Sequence, residues 1–224
     1  MKNSNANFKL KAFLIPITIM LILGVVLFLP AGSFRYWEGW VFWIINLISI
    51  FFITFYFMKK DPELLSRRTE FKEKEKTRKV PAIFNLYLLG YIIPGLDFRY
   101  HWSTVPTALI IAANGICFLG FILIILVFMK NTYASTIIQV EKEQKVITTG
   151  PYTIVRHPMY MGMLLMLLFT PLALGSYWAI IPFLLSIPMN IIRIKGEEEI
   201  LTKEVQGYKD YCIKTKYRLI PFIW

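Results

Sequence analysis

Long apolar runs separated by short charged segments dominate this chain. Residues 12–34, 39–58, 80–96, 102–129 and 158–192 contain no Asp, Glu, Lys or Arg. A bilayer core of about 30 Å takes ~20 apolar residues of helix, so each of the first four runs predicts one membrane helix. The fifth is too long for one crossing at ~1.5 Å per residue and short for two. Pro171, Gly175 and Ser176 fall near its middle, where turn chemistry is expected. A helical hairpin, 158–171 and 177–195, is the predicted solution. The fold class expected is therefore all-α, a polytopic transmembrane bundle of about five to six membrane helices ending in that hairpin. No internal repeat or low-complexity segment interrupts the pattern.

Composition agrees: 56% of the 224 residues are hydrophobic and 17% are charged, against roughly 25% charged in soluble domains. The net charge of +11 then becomes a topology signal. Segments 1–11, 59–79, 130–157 and 193–224 hold 23 of the 25 Lys and Arg residues, and the remaining two are Arg35 and Arg99. Basic loops stay on the cytoplasmic side, so a multi-pass protein with both termini cytoplasmic is expected. That membrane is the plasma membrane in a prokaryote or the endoplasmic reticulum in a eukaryote. Attraction of these cations to anionic headgroups makes membrane lipid a partner, and no face concentrates charge as a nucleic-acid surface would. Lys9 and Lys11 ahead of a long apolar run predict an uncleaved first helix, because a signal h-region is only about 7–15 residues. Cys117 lies in a span and Cys212 in the tail, which implies no disulfide framework. His101 and His157 fall on opposite sides, and with no pairable Cys or His cluster no metal is expected.

Candidate chemistry gathers near the C-terminus. The mixed-charge segment 59–79 reads as a solvated connector that also anchors helix ends. The stretch 139–162, QVEKEQKVITTGPYTIVRHPMYMG, passes from a polar loop through Gly150-Pro151 to Arg156-His157-Pro158 and on into apolar sequence. Proline lacks an N–H and suits the first turn of a helix. A helix starting beside His157 leaves free backbone N–H groups near Tyr160 and Gly162. A second cluster, Arg193 to Leu201 (RIKGEEEIL), places Arg193 and Glu197 on one helical face. The bland alternative is an i,i+4 ion pair of a few tenths of a kcal/mol. Arg before Glu is the weaker order for such a pair, and three glutamates at a helix C-terminus oppose its dipole. A break at Gly196 would instead let Glu197, Glu198 and Glu199 open a short surface helix ending at Gly207. The tail then alternates basic and aromatic residues, with Tyr208, Tyr211, Tyr217 and Trp224 expected at headgroup level or in a lid.

Taken together these segments resemble the isoprenylcysteine carboxyl methyltransferase family of membrane enzymes. Four pieces carry the resemblance: Gly150-Pro151-Tyr152 followed by Arg156-His157-Pro158, Tyr160 and Gly162; Arg193 with Glu197-Glu198 and Leu201; Gly207-Tyr208 with Tyr211; and Arg218-Leu219-Ile220-Pro221. They span Gln139 to the end, after a membrane span. The resemblance divides the chain into N-terminal transmembrane helices with loop 59–79 (residues 1–130) and a catalytic region of cofactor loop, hairpin and amphipathic tail (131–224). It implies S-adenosyl-L-methionine as methyl donor. It further implies donor contacts from Gln139, Gln144, Lys145, Val146, Ile147, Tyr152, Arg156, His157, Pro158, Met159, Tyr160, Glu197 and Glu198. Arg193 falls to the substrate, and Arg193 and Glu197 to catalysis. The 140–147 loop departs from better-known members in length and residues.

The implied reaction moves a methyl group from the sulfonium to the carboxylate of a lipophilic, prenylcysteine-like acceptor. A carboxylate with a reference pKa near ~4 needs no general base, only alignment and exclusion of water. Arg193 can hold it through a planar fork. Other readings are a phospholipid N-methyltransferase, a membrane NADPH-dependent sterol-type reductase, and a scaffold or transporter subunit. A transporter would place ionisable groups at mid-membrane, where only Asn46, Asn114 and Asn190 stand out.

Overall fold

The computed structural model describes residues 2–69, 80–134, 140 and 144–224. Every regular element among them is helical: α1 (Lys2–Ala31), α2 (Trp37–Lys60), α3 (Pro62–Thr69), α4 (Val80–Tyr100), α5 (Thr107–Lys130), a 3-10 turn (Gly150–Thr153), α6 (Pro158–Ala173), α7 (Ile180–Glu204) and α8 (Tyr208–Lys214). Among the described residues, three stretches are long and apolar enough to cross a membrane by themselves: Leu10–Ala31, Trp37–Lys60 and Thr107–Lys130. The apolar α6 has 16 residues, short of the ~20 a full crossing takes.

Two predicted boundaries move. The chain turns at 174–179, so α6 runs past Pro171 and α7 begins at Ile180 rather than 177. Pro171 lies in the last turn of α6, where its missing N–H forgoes a single bond, to the Leu167 carbonyl, and the helix continues two residues past it. At the other end α7 passes through Gly196 without a break to Glu204. A helical glycine costs only about 1 kcal/mol relative to alanine, and the three glutamates therefore stay on α7.

Close backbone approach holds α6 in place. A Cβ at Gly162 would meet the Gly120 carbonyl oxygen at 2.8 Å, and one at Gly120 would meet the Gly162 oxygen at 2.8 Å. Small residues at such crossings let apolar helices touch where lipid removes any hydrophobic drive. At the end away from the C-terminus, Asp97 closes the bundle. Its carboxylate accepts from the Ser103 amide at 2.7 Å and hydroxyl at 2.6 Å, and from the Ser176 hydroxyl. Asn46 and Asn114 are buried and donate to carbonyls of their own helices, Phe42 and Ile110. Both pack in the core, and the Asn114 side-chain oxygen is buried there without a partner.

Segment 59–79 is more than a connector. Its first part forms α3, whose Leu64 and Leu65 are buried against Phe57, Val127 and Phe128. Residues 70–79 lie outside the described residues. The C-terminal end of α2, α3, the C-terminal end of α5, the N-terminus of α6 and the last turns of α7 thus share one end of the bundle, and α8 caps it.

Candidate functional site

A cleft opens at that end, with an empty space of ≈ 860 Å³ that includes the open solvent at its mouth. Gln144, Lys145, Val146, Ile147, Tyr152, Arg156, His157, Pro158, Met159, Tyr160, Arg193 and Glu197 line it. Residues expected from segments fifty positions apart are therefore brought to one cavity. Gln139 lies outside the described residues. Glu198 stands behind the wall rather than in it, bound to Arg156, His157 and Arg218.

Local sequence explains how the wall is placed. Gly150 takes φ 64°, open to glycine at little cost, and turns the chain into Pro151 and the 3-10 turn. Tyr152 is then pinned at both ends. Its hydroxyl accepts from Asn131 Nδ2 at 2.6 Å, and its carbonyl accepts from the Tyr211 hydroxyl at 2.8 Å. The amides of Arg156 and His157 donate to the carbonyls of Tyr217 and Arg218, both at 2.9 Å. The tail thereby holds the Arg-His-Pro turn against the head of α6. His157 caps α6, and the helical ladder starts with Met161 N–H to His157 O at 3.1 Å. The open first turn therefore ends before Gly162, which is already inside the ladder.

Two polar systems meet at the cleft. In the first, the Tyr160 hydroxyl accepts from Arg193 Nε at 3.1 Å and donates to Glu197 Oε2 at 2.8 Å. The shared face of α7 is thus bridged by α6. In the second, Arg218 Nε donates to Glu198 Oε2 at 2.7 Å. Arg156 Nε and His157 Nε2 approach Glu198 Oε1 at 3.0 and 3.4 Å. Neither of these last two contacts has hydrogen-bond direction, and all three atoms are buried without a hydrogen-bond partner. Burial by itself would raise the Glu198 carboxyl; His157, Arg218 and Arg156 outweigh it and hold it at about 2.

The structure adds Asn131, Tyr133, Ala134, Leu201, Val205, Tyr208 and Tyr211 to the lining. Tyr208 and Tyr211 are 5% and 4% exposed and pack with Val205, so they are cleft walls rather than headgroup anchors. The Tyr208 hydroxyl is buried without a partner, and burial, then the nearby Glu198, raises its pKa and keeps it protonated. Their motif spacing pointed to them; their aromatic-basic surroundings read instead as an interfacial tail. Asn131, Tyr133 and Ala134 carry no sequence signal and arrive only through folding.

Tyr160 also lines a second, apolar groove between α6 and α7, with Met163, Leu164, Leu167, Ile187, Asn190, Ile191, Ile194 and Leu219. Polar cleft and apolar groove therefore share one residue.

Residues 108–209 match the family model of phospholipid methyltransferases. The matched segment runs from α5 into α8 and carries every cleft residue except Tyr211. No curated protein matches the chain.

Proposed function

We propose that this chain is an integral membrane methyltransferase that moves a methyl group from S-adenosylmethionine to the carboxylate of a lipophilic, isoprenylcysteine-like acceptor. The observation carrying this reading is the Arg193–Tyr160–Glu197 relay, set where a polar cleft meets an apolar groove. A water-soluble donor and a lipid acceptor need that kind of junction. The match to a methyltransferase family over the same segment supports it.

The cleft suits the donor. Tyr208 offers an unpartnered buried hydroxyl, and Glu197 offers carboxylate to a cation. Gln144 to Ile147, Tyr152 and the turn from Arg156 to Tyr160 supply the remaining wall. Gln139 and Glu198 belong to the same assignment, the latter by holding Arg156 and His157 in place. When bound, the donor supplies an electrophilic methyl on a positively charged sulfur. Arg193 holds and orients the acceptor carboxylate, whose oxygen forms the new bond to carbon as the sulfur–carbon bond breaks. The charges of acid and sulfonium cancel in ester and thioether, and no proton moves. Tyr160 keeps Arg193 and Glu197 in register, and apolar side chains of α6 and α7 exclude water, so approach geometry supplies the rate.

The charge split of the sequence supports a multi-pass topology with both termini and the cleft on the cytoplasmic side. A reporter fused after Trp224 is expected to behave as cytoplasmic.

A phospholipid N-methyltransferase is the second reading, favoured by the name of the matching family. An ammonium acceptor must lose a proton and would face the Arg193 guanidinium. The test is to titrate the purified protein in detergent with S-adenosylmethionine and with NADPH. Methyl transfer is then assayed to N-acetyl-S-farnesylcysteine and to phosphatidylethanolamine. Donor binding with methylation of the acid supports the proposal. Methylation of the amine alone moves it to the phospholipid reading, and NADPH binding alone moves it to a reductase.

A further inference from the structure

Helix α3 carries a guanidinium to the back of the cleft wall, against Met159, that the reaction described above does not use. Arg68 Nη1 lies 3.8 Å from the sulfur of Met159, a cleft residue that precedes Tyr160. Its guanidinium carbon sits 4.6 Å from the centre of the Phe128 ring. Leu64 and Leu65, buried against Val127 and Phe128, lock α3 in this position. Arg68 is thus presented by a docked helix rather than a free loop.

Its neighbours along the chain and around the cleft have counter-charges. Arg67 pairs with Glu63 at 3.0 Å, and Arg156 and Arg218 pair with Glu198 at 3.0 and 2.7 Å. Among the described residues, no carboxylate lies within ion-pair distance of Arg68. Burial first, and then the charge of Arg193, lower its pKa to about 10, with Tyr160 opposing. It stays cationic at neutral pH and close enough to Arg193 to sense it. Two partly desolvated guanidiniums at one end of the bundle repel each other, and an anion placed near both relieves that cost.

We propose that Arg68 joins Arg193 in binding the acceptor's acidic group, and that Arg68 is the residue selecting an anionic acceptor over a neutral or zwitterionic one. This rests on the acid-methylating reading above. Both acceptor and donor carry a carboxylate. S-adenosylmethionine, however, has a net positive charge from its sulfonium and ammonium groups, so a pair of guanidiniums favours the acid acceptor. Met159, which Arg68 touches, immediately precedes Tyr160, the residue shared with the apolar groove, and that agrees with the acceptor's side.

The experiment uses the full-length protein in detergent, saturated with S-adenosylhomocysteine so that nothing turns over. Affinities for N-acetyl-S-farnesylcysteine and for its carboxamide are measured on the parent, Arg68→Gln and Arg68→Lys. The parent is expected to prefer the acid. Arg68→Gln is expected to lose roughly ten- to a hundredfold in acid affinity with the carboxamide unchanged, and Arg68→Lys to keep part of the preference. A separate titration of S-adenosylhomocysteine should be unaltered in both variants, which also shows that they fold. If the parent prefers the acid and Arg68→Gln keeps that preference, Arg68 is not the selector and the acceptor reading stands. A parent indifferent to acid and carboxamide overturns both. Weakened S-adenosylhomocysteine binding with unchanged acid affinity would assign Arg68 to the donor's carboxylate and overturn the proposal.

Discussion

Glu198 accepts a hydrogen bond from Arg218 Nε at 2.7 Å, joining the last turns of α7 to the tail. The same tail receives the Arg156 and His157 amides, so one carboxylate braces α7, the tail and the Arg-His-Pro turn together. Removing one partner of a buried charge cluster costs about 3–5 kcal/mol, because the remaining charges are stranded. Glu198→Gln is therefore expected to lower thermal stability in detergent markedly and to weaken donor binding as a consequence. Unchanged melting would mean that Arg156, His157 and Arg218 do not depend on this carboxylate.

The same group predicts a pH effect with a definite sign. Its folded pKa, about 2, lies below the ~4.3 of an unperturbed glutamate. Its stabilising contribution is present above the unfolded value and is lost as pH falls from near ~4.3 toward 2. Melting temperature should decline over that acid window in the parent, and Glu198→Gln should show a shallower decline from its lower starting point. Parallel curves would remove Glu198 as the cause.

Tyr208→Phe should separate stability from binding. The hydroxyl is buried and unpartnered in the free cleft, a situation costing about 1–3 kcal/mol. Its removal is expected to leave stability equal or raised while S-adenosylmethionine affinity falls about tenfold. Equal donor affinity in the variant would take Tyr208 out of the donor site.

Much of this site is legible in sequence because its chemistry is local. Pro158 starts α6, and the Arg193 and Glu197 spacing sets a common face on a continuous helix. What sequence does not show is the third dimension. The Tyr160 hydroxyl between Arg193 and Glu197 depends on how α6 crosses α7. Asn131 reaches Tyr152 only because the end of α5 lies beside the 3-10 turn. Segment 59–79 misled by its charge: the two leucines that dock α3 are a small apolar signal amid lysines and glutamates. The first helix of the pair runs past Pro171 because one forgone hydrogen bond does not stop a helix two residues from its end.

Gly162 tests how α6 is positioned. Substitution by alanine puts a methyl 2.8 Å from the Gly120 oxygen and 3.0 Å from Ile124 Cγ1. Overpacking of that kind costs typically 1–3 kcal/mol. The helices should separate slightly, lowering melting temperature and slowing methyl transfer more than donor binding. Wild-type turnover in Gly162→Ala would show that the α5–α6 crossing tolerates displacement without moving Tyr160.

Arg193 and Glu197 are joined through one tyrosine but are assigned opposite partners, and that difference is measurable. Arg193→Lys keeps the charge and loses the planar fork. If Arg193 grips the acceptor, donor affinity should hardly change. Turnover on a prenylcysteine-type acid should fall roughly thirty- to over a hundredfold, as expected for loss of a charge-assisted contact of ~2–3 kcal/mol. Glu197→Gln should instead weaken S-adenosylmethionine binding, because a neutral amide no longer balances a cationic donor. Tyr160→Phe removes the bridge without touching either charge, so it should lower turnover while retaining most of the affinity for both partners. If the two residues only stabilise the helix end, each change costs a few tenths of a kcal/mol and leaves activity intact. Steady-state kinetics with donor titration on the three variants separates these outcomes. An Arg193→Lys protein that turns over the acid like the parent would end the clamp assignment.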